Sequence, residues 1–307
     1  MATFNSTITG SNTGDTLLGT APNQLINAGS GNDSISSSFS LSCLLGNNGN
    51  DSFGAAGLNS SLYGGSGSDF FNFSSGLTSA LVTGNQDADT IQVIASLSRS
   101  SLWGGSGDDS IRIAGTGAAA YLSGDQGNDT ISVEVAQTSA FIALGAGDDR
   151  LVATGDLTSS TVAGGAGADS LNFQAAVIGS SVTADDGNDT LVYSQSVVNT
   201  TISGGSGADT IAMVQGVTGG VISGLADADA LEGVDDLLVG AEHSAGGAPE
   251  SDTDQEHGDG NDGLGRTESA EDRGVDGDVV GAVGDGDGGD ADRPGRDHYG
   301  FTVSVAA

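Results

Sequence analysis

The chain has no lysine. Its seven positive side chains are all arginine and are set against 41 aspartates and glutamates, for a formal net charge of -34 over 307 residues. Nucleic acid and anionic membranes are recognised through clustered cations, so neither is expected as a partner. A phosphate-binding P-loop requires its lysine and is excluded by the same absence. The βαβ unit of a dinucleotide fold is not visible either. Histidine is confined to His243, His257 and His298, and no HExxH sequence is present. A Ser-His-Asp triad would need a histidine beside an ordered scaffold. The single cysteine, Cys43, forms no internal disulfide and reads as a structural or idle thiol. Aromatic residues are 5% of the chain, too few for a carbohydrate-stacking platform, although Tyr63, Trp103 and Tyr121 are expected on an exposed face. No apolar run approaches the roughly 18 residues of a spanning helix. Met1 to Thr9 lacks a basic region followed by an apolar stretch, so no cleavable secretory signal is expected.

What the chain does have is a ruler. Asp15, Asp33, Asp51 and Asp69 are 18 residues apart, and Asp89, Asp109, Asp129, Asp149, Asp169, Asp189, Asp209 and Asp229 follow every 20. Two residues after each stands a large apolar side chain, from Leu17 and Ile35 to Ile211 and Leu231. Seven residues before each the same holds, from Ile8 and Ile26 to Ile202 and Ile222. At an apolar fraction of 36%, twelve matches at one such position would arise by chance on the order of five times in a million. Fixed self-similarity at this period predicts a stacked solenoid with both apolar positions facing inward. The step from 18 to 20 residues preserves the in/out alternation of a strand, which a step of one would invert. Four residues after the aspartate, the longer coils place Phe73, Val93, Ile113, Val133, Phe173, Tyr193 and Met213 where the first three have Gly19, Ser37 and Ala55. The N-terminal end is therefore expected to be slimmer. The small polar row one residue after the aspartate, including Ser34, Ser52, Thr90 and Ser110, predicts a solvated outer face.

Between the two apolar anchors lies a glycine-rich turn, as in Gly64-Gly65-Ser66-Gly67-Ser68-Asp69 and Gly204-Gly205-Ser206-Gly207-Ala208-Asp209. Leu144 replaces the first glycine before Asp149, Asp87 and Asp227 replace the third before Asp89 and Asp229, and the turn from Gly10 to Asp15 is the most degenerate. Glycines at fixed turn positions let carbonyl oxygens converge, and aspartate adds one anionic ligand. Calcium takes six to eight such oxygens, whereas softer metals call for histidine or thiolate. Strands about 4.8 Å apart would stack the aspartates into a column whose members repel by about 0.9 kcal/mol each in bulk water and by more near a protein surface.

Read with the strand that follows, the turn is G-G-x-G-x-D-x-U-x, which resembles the calcium-binding nonapeptide of RTX (hemolysin-type) proteins. The resemblance covers roughly residues 10 to 232 and implies calcium held between successive turns, with folding coupled to the ion. It implies Asp33, Asp51, Asp69, Asp109, Asp129, Asp149, Asp169, Asp189 and Asp209 as ligands, with Asp15, Asp89 and Asp229 weaker because their turns deviate. A double-sided RTX roll carries the nonapeptide every nine residues. Here it occurs once per 18 or 20, and the other half of each coil, such as Ala136-Gln137-Thr138-Ser139-Ala140, lacks glycine pairs and acidic residues. Calcium is thus expected along one edge only. The resemblance further implies secretion by type I export, for which Phe301 to Ala307 would serve as the C-terminal segment.

The sequence therefore predicts an all-β, right-handed parallel β-solenoid of about twelve coils. Residues 1–9 form a lead-in, 10–232 the solenoid and 233–307 an acidic Gly/Asp-rich tail whose low hydrophobicity and high charge predict disorder. The tail would cover one of the two open ends. The expected role is calcium binding by a non-enzymatic structural module of a secreted or cell-surface protein, with cell-surface or extracellular matrix components as partners. An adhesin face binding carbohydrate or ice is the alternative. Against ice stands the irregular row Ser30, Asn48, Ser66, Gln86, Ser106, Gln126, Ala146, Ala166, Asp186 and Ser206, where a regular threonine array would be required. A polysaccharide-active enzyme would draw on the acidic doublets Asp108-Asp109, Asp148-Asp149 and Asp185-Asp186, for which metal liganding or solvent exposure is the simpler account.

Overall fold

The computed structural model describes residues 4–54, 58–224, 229–232, 239–241 and 301–305, the last two stretches by their backbone alone. Each coil of the longer kind runs through a six-residue strand such as Ser101–Ser106, the glycine turn, a four-residue strand such as Ser110–Ile113, and a two-residue strand such as Leu97–Ser98 in the coil before. The four-residue strands and their shorter N-terminal equivalents form one twelve-stranded sheet, and the other strands form a second sheet. Twelve strands give about eleven complete turns from first to last, close to the expected twelve. Pairing between coils is parallel and in step with the period: Leu102 lies beside Leu122 and Ile111 beside Ile131. Like residues therefore stack on like, which makes any one-residue slip costly because it would expose the whole apolar set.

Both apolar columns read from the sequence are inward, with Leu102 and Val82 at 0% exposure and Ile111 at 1%. Phe53 and Phe71 stack at 4.4 Å between centroids, as do Phe173 and Tyr193 at 4.7 Å. Phe73, Val93, Ile113 and Val133 fill the wider coils, while Ser37 occupies the same buried place in a short one. The expected slimmer end follows, with Ala55 lying outside the described residues. The longer coils also bury a third inward position, eight residues after the aspartate, held by Leu77, Leu97, Leu157, Val177 and Val197. The sequence did not reveal this column because Gly117 and Gln137 interrupt it. They compensate one another: the Gln137 amide donates to the carbonyls of Gly115 and Val135 at 2.9 and 3.1 Å. Its Oε1 lies 2.0 Å from where a Cβ on Gly117 would stand.

At the far end, Phe301–Val305 runs antiparallel beside Val217–Gly224, and Val239–Ala241 pairs with its other side. The backbone of the tail thus covers one sheet edge, the device that keeps an exposed edge from templating another strand. The acidic stretch from 242 to 300, with its histidines, and Asp227 lie outside the described residues. Among the described residues no helix is long and apolar enough to cross a membrane.

The alternation makes a paired prediction. Phe71→Ala, which opens a cavity between Phe53 and Phe73, is expected to cost about 3–5 kcal/mol. Phe70→Ala, at a side chain that is 38% exposed, should stay within about 0.5 kcal/mol of the parent. Urea unfolding of the two variants checks this, and equal losses would contradict the assignment of the inward face.

Candidate functional site along the aspartate edge

The turn that positions the aspartate uses two residues with positive φ, four and two places before it. Glycine holds most of these places, as with Gly105 at 121° and Gly107 at 126°. Asn47, Asn85, Asp87, Asp125 and Asp185 take the others at 72° to 84°. Asparagine and aspartate are the side-chain-bearing residues that visit this region most readily, so these substituted turns keep the same conformation; the first turn is the exception, with no positive φ at Ser11 or Thr13. Asp89, expected to be weaker for that reason, is as buried as its neighbours, at 2% exposure.

Each key aspartate points inward. Its Oδ1 accepts the backbone N–H of the aspartate one coil earlier: Asp89 N–H to Asp109, Asp109 N–H to Asp129, and so on from Asp15 to Asp229, at 2.6–3.0 Å. The acidic rib expected from the sequence is therefore present as an unbroken ladder, but inside the coil rather than on its surface. Asp33, Asp51, Asp69, Asp109, Asp129, Asp149, Asp169, Asp189 and Asp209 are all 1–3% exposed. Asp15 and Asp229, at the two ends, are half-buried.

The second oxygen is the unusual one. The Oδ2 atoms of Asp33, Asp51, Asp69, Asp89, Asp109, Asp129, Asp149, Asp169 and Asp189 are buried and have no hydrogen-bond partner. Asp15 differs, since its Oδ2 accepts from the Ser11 amide and hydroxyl at 2.6 and 2.8 Å, which lowers its pKa. Among the described residues the one ion pair, Arg112 with Glu134 at 2.6 Å, joins half-exposed side chains and does not involve the column. Burial accordingly raises the carboxyls, to about 6 for Asp51, Asp109 and Asp169, about 7 for Asp69, Asp129, Asp149 and Asp189, and about 8 for Asp89. The amide bond opposes this rise, and neighbouring carboxylates, such as Asp87 beside Asp89 or Asp108 and Asp125 beside Asp129, add to it.

Two further ladders were not foreseen. One place before the key aspartate, exposed Asn and Asp side chains accept amides in the opposite direction: Asn128 N–H to Asp108, Asp148 N–H to Asn128 and Ala168 N–H to Asp148, each at 2.8 Å. The doublets Asp108-Asp109 and Asp148-Asp149 thus divide into one exposed and one buried carboxylate. At the other edge of the coil, Ser100, Ser160, Ser180 and Thr200 lie buried and accept the amides of Ala80, Ala140, Ser160 and Ser180 at 3.0–3.4 Å. Their hydroxyls also donate to a carbonyl two residues back. The signal was a small polar residue nine places before the aspartate, two residues from the inward Leu102 or Val162 and so at the parity of an inward place.

The oxygens around Oδ2 suit a hard cation. A Cβ built on Gly46, Gly64, Gly84 or Gly104 would stand 2.0–2.2 Å from the Oδ2 of its own coil and 2.5–2.7 Å from the carbonyl oxygen of the next coil's equivalent glycine. A carboxylate oxygen and a carbonyl oxygen thus converge on the bare side of each glycine. Among the described residues no three His, Cys, Asp or Glu side chains meet at one point, so an ion here would combine carboxylate oxygens with backbone carbonyls and water, a donor set that calcium accepts. Cys43 is half-buried and its thiol is raised by burial, which keeps it protonated.

On the outer face, Trp103, Tyr121 and Phe141 stack at 4.8 and 5.1 Å. Both faces of Tyr121 are covered by its two neighbours, whereas stacking a sugar requires a free face. No protein-family model matches this chain, and no curated protein matches it.

Two predictions follow from the column. Carboxyls whose folded pKa lies above the usual 3.8 hold protons that the unfolded chain releases between about pH 4 and 8, so cation-free stability should fall as pH rises through that window. Melting in chelator at pH 5 and at pH 8.5 tests the sign, with the higher midpoint expected at pH 5. At one rung, Asp109→Asn keeps an oxygen for the Asp89 amide and Asp109→Ala removes it. In chelator the alanine variant should be less stable than the asparagine variant by about 1–3 kcal/mol, and equal unfolding midpoints would show the rung to be idle.

Proposed function

We propose that the chain is an RTX-like calcium-binding repeat module, with the ions along its aspartate edge and its order coupled to them. The observation that carries this reading is the row of buried, unpartnered Oδ2 atoms. The hydroxyl ladder makes the contrast. Accepting an amide from the neighbouring coil requires only a neutral oxygen, and Ser160, Ser180 and Thr200 do so with every hydrogen-bonding group satisfied. Aspartate in that role leaves a second, charged oxygen in the interior, which is costly unless it is compensated. Calcium, when bound, supplies positive charge and draws together carboxylate and carbonyl oxygens.

The protein's own part is positional. Oδ1 of each aspartate is anchored by the preceding coil's amide, which fixes the carboxylate plane and turns Oδ2 toward the bare side of the glycine five residues earlier. The candidate ligands are drawn from the aspartates of the column, between Asp33 and Asp209, with backbone carbonyls of the turns completing each site that is filled. Asp15 and Asp229 stand at the ends of the ladder, where each has one neighbouring rung instead of two. Secretion or display at a cell surface, by type I export through a C-terminal segment, accords with this reading, because extracellular calcium would be met only after passage. A structural rather than catalytic role accords with the split of Asp108-Asp109 and Asp148-Asp149 between surface and interior.

Calcium titration of the full chain, followed by calorimetry and circular dichroism, tests the proposal. Each site held at a hundred times its Kd should add about 2.7 kcal/mol to stability, giving a large rise in melting temperature that a chelator reverses. A β spectrum and melting point indifferent to calcium and chelator would remove the reading.

A further inference from the structure

We infer that the residue five places before each aspartate decides which coils take up a cation, and that Ala28, Leu144 and Ala184 close the coils of Asp33, Asp149 and Asp189. The inference rests on the calcium reading above and specifies its pattern. Glycine holds this place in the nine other coils, from Gly10 and Gly46 to Gly204 and Gly224, and none of the nine has a positive φ. Backbone conformation therefore does not require glycine there, as it does one residue later at Gly65 and Gly105. The reason is space. The point that a Cβ would occupy faces the Oδ2 of the coil's own aspartate and the next coil's carbonyl at once.

In three coils that space is filled. Ala28, Leu144 and Ala184 are fully buried, with 0% exposure, and a side chain at this place starts from the point that, at the equivalent glycines, faces both oxygens. The blockade is local. At Gly124 the built Cβ still meets the Leu144 carbonyl at 2.4 Å and the Asp129 Oδ2 at 2.3 Å, and at Gly164 it meets the Ala184 carbonyl at 2.4 Å and the Asp169 Oδ2 at 2.6 Å. A side chain at this place thus removes its own coil's site and leaves its carbonyl in service to the coil before. Between Asp33 and Asp189, cations then occupy a continuous run over Asp51, Asp69, Asp89, Asp109 and Asp129, with Asp169 isolated between two closed coils.

Calcium binding stoichiometry of the full-length chain, measured by calorimetry on variants that keep the parent β spectrum, tests this. Ala184→Gly, which removes one methyl group, and Leu144→Gly should each gain about one ion per chain. Gly104→Ala should lose about one. Asp149→Asn should leave the count unchanged while Asp109→Asn lowers it by about one, and both keep the amide acceptor, so the comparison does not depend on tolerance of a glycine change. An unaltered count in Ala184→Gly and Leu144→Gly, or equal losses in Asp149→Asn and Asp109→Asn, overturns the gate while the parent still binds. A parent chain that takes up no calcium overturns the gate and the calcium reading together.

Discussion

The bond from each aspartate's amide to the carboxylate of the next coil is the constraint on which the rest of the edge depends. Eleven such bonds run without a gap from Asp15 to Asp229. They tie the coils together where the chain turns, beside the backbone bond that each aspartate's carbonyl accepts from the next coil. The same bonds pull the carboxylates inside, so the interaction that aligns the coils also creates a line of buried charge. A solenoid is close to one-dimensional, each coil touching only its neighbours. Neutralising one rung therefore acts on its two adjacent coils first, and stability builds along the edge by local increments.

The architecture was legible because the period of the apolar residues and the period of the aspartates agree over twelve repeats. Inward Leu102 and Ile111, outward Ser110, and the slimmer first coils all followed from alternation and spacing. What the sequence concealed was the direction of the aspartates. A carboxylate in a glycine-rich turn reads as exposed, yet it sits two residues from an inward isoleucine or leucine, the parity of an inward place. The column through Leu97 and Leu157 was hidden for a different reason: Gly117 and Gln137 replace apolar residues there, and only their adjacency in space shows that a long polar side chain fills the room left by a missing one.

The candidate site was legible in part. Residue type and spacing pointed to Asp51, Asp69 and Asp109, and the geometry gives each of them a reason in its unpartnered Oδ2. The hydroxyl edge was not legible, because Ser100, Ser160 and Thr200 look like surface residues until the amides they accept are seen. The glycine five places back read as a turn former, whereas its ordinary φ shows that it is needed for its missing side chain.

The inner ladders also have a polarity. In both the aspartate and the hydroxyl rows the amide belongs to the earlier coil and the acceptor to the later one. In the hydroxyl row an ordered stack growing toward its N-terminus thus meets each incoming amide with a side chain already held by its bond to the carbonyl two residues back, while growth the other way must fix a side chain of the incoming coil onto a waiting amide. The entropic toll differs between the two directions, so ordering should propagate more readily from late coils to early ones, opposite to the order in which a ribosome makes them.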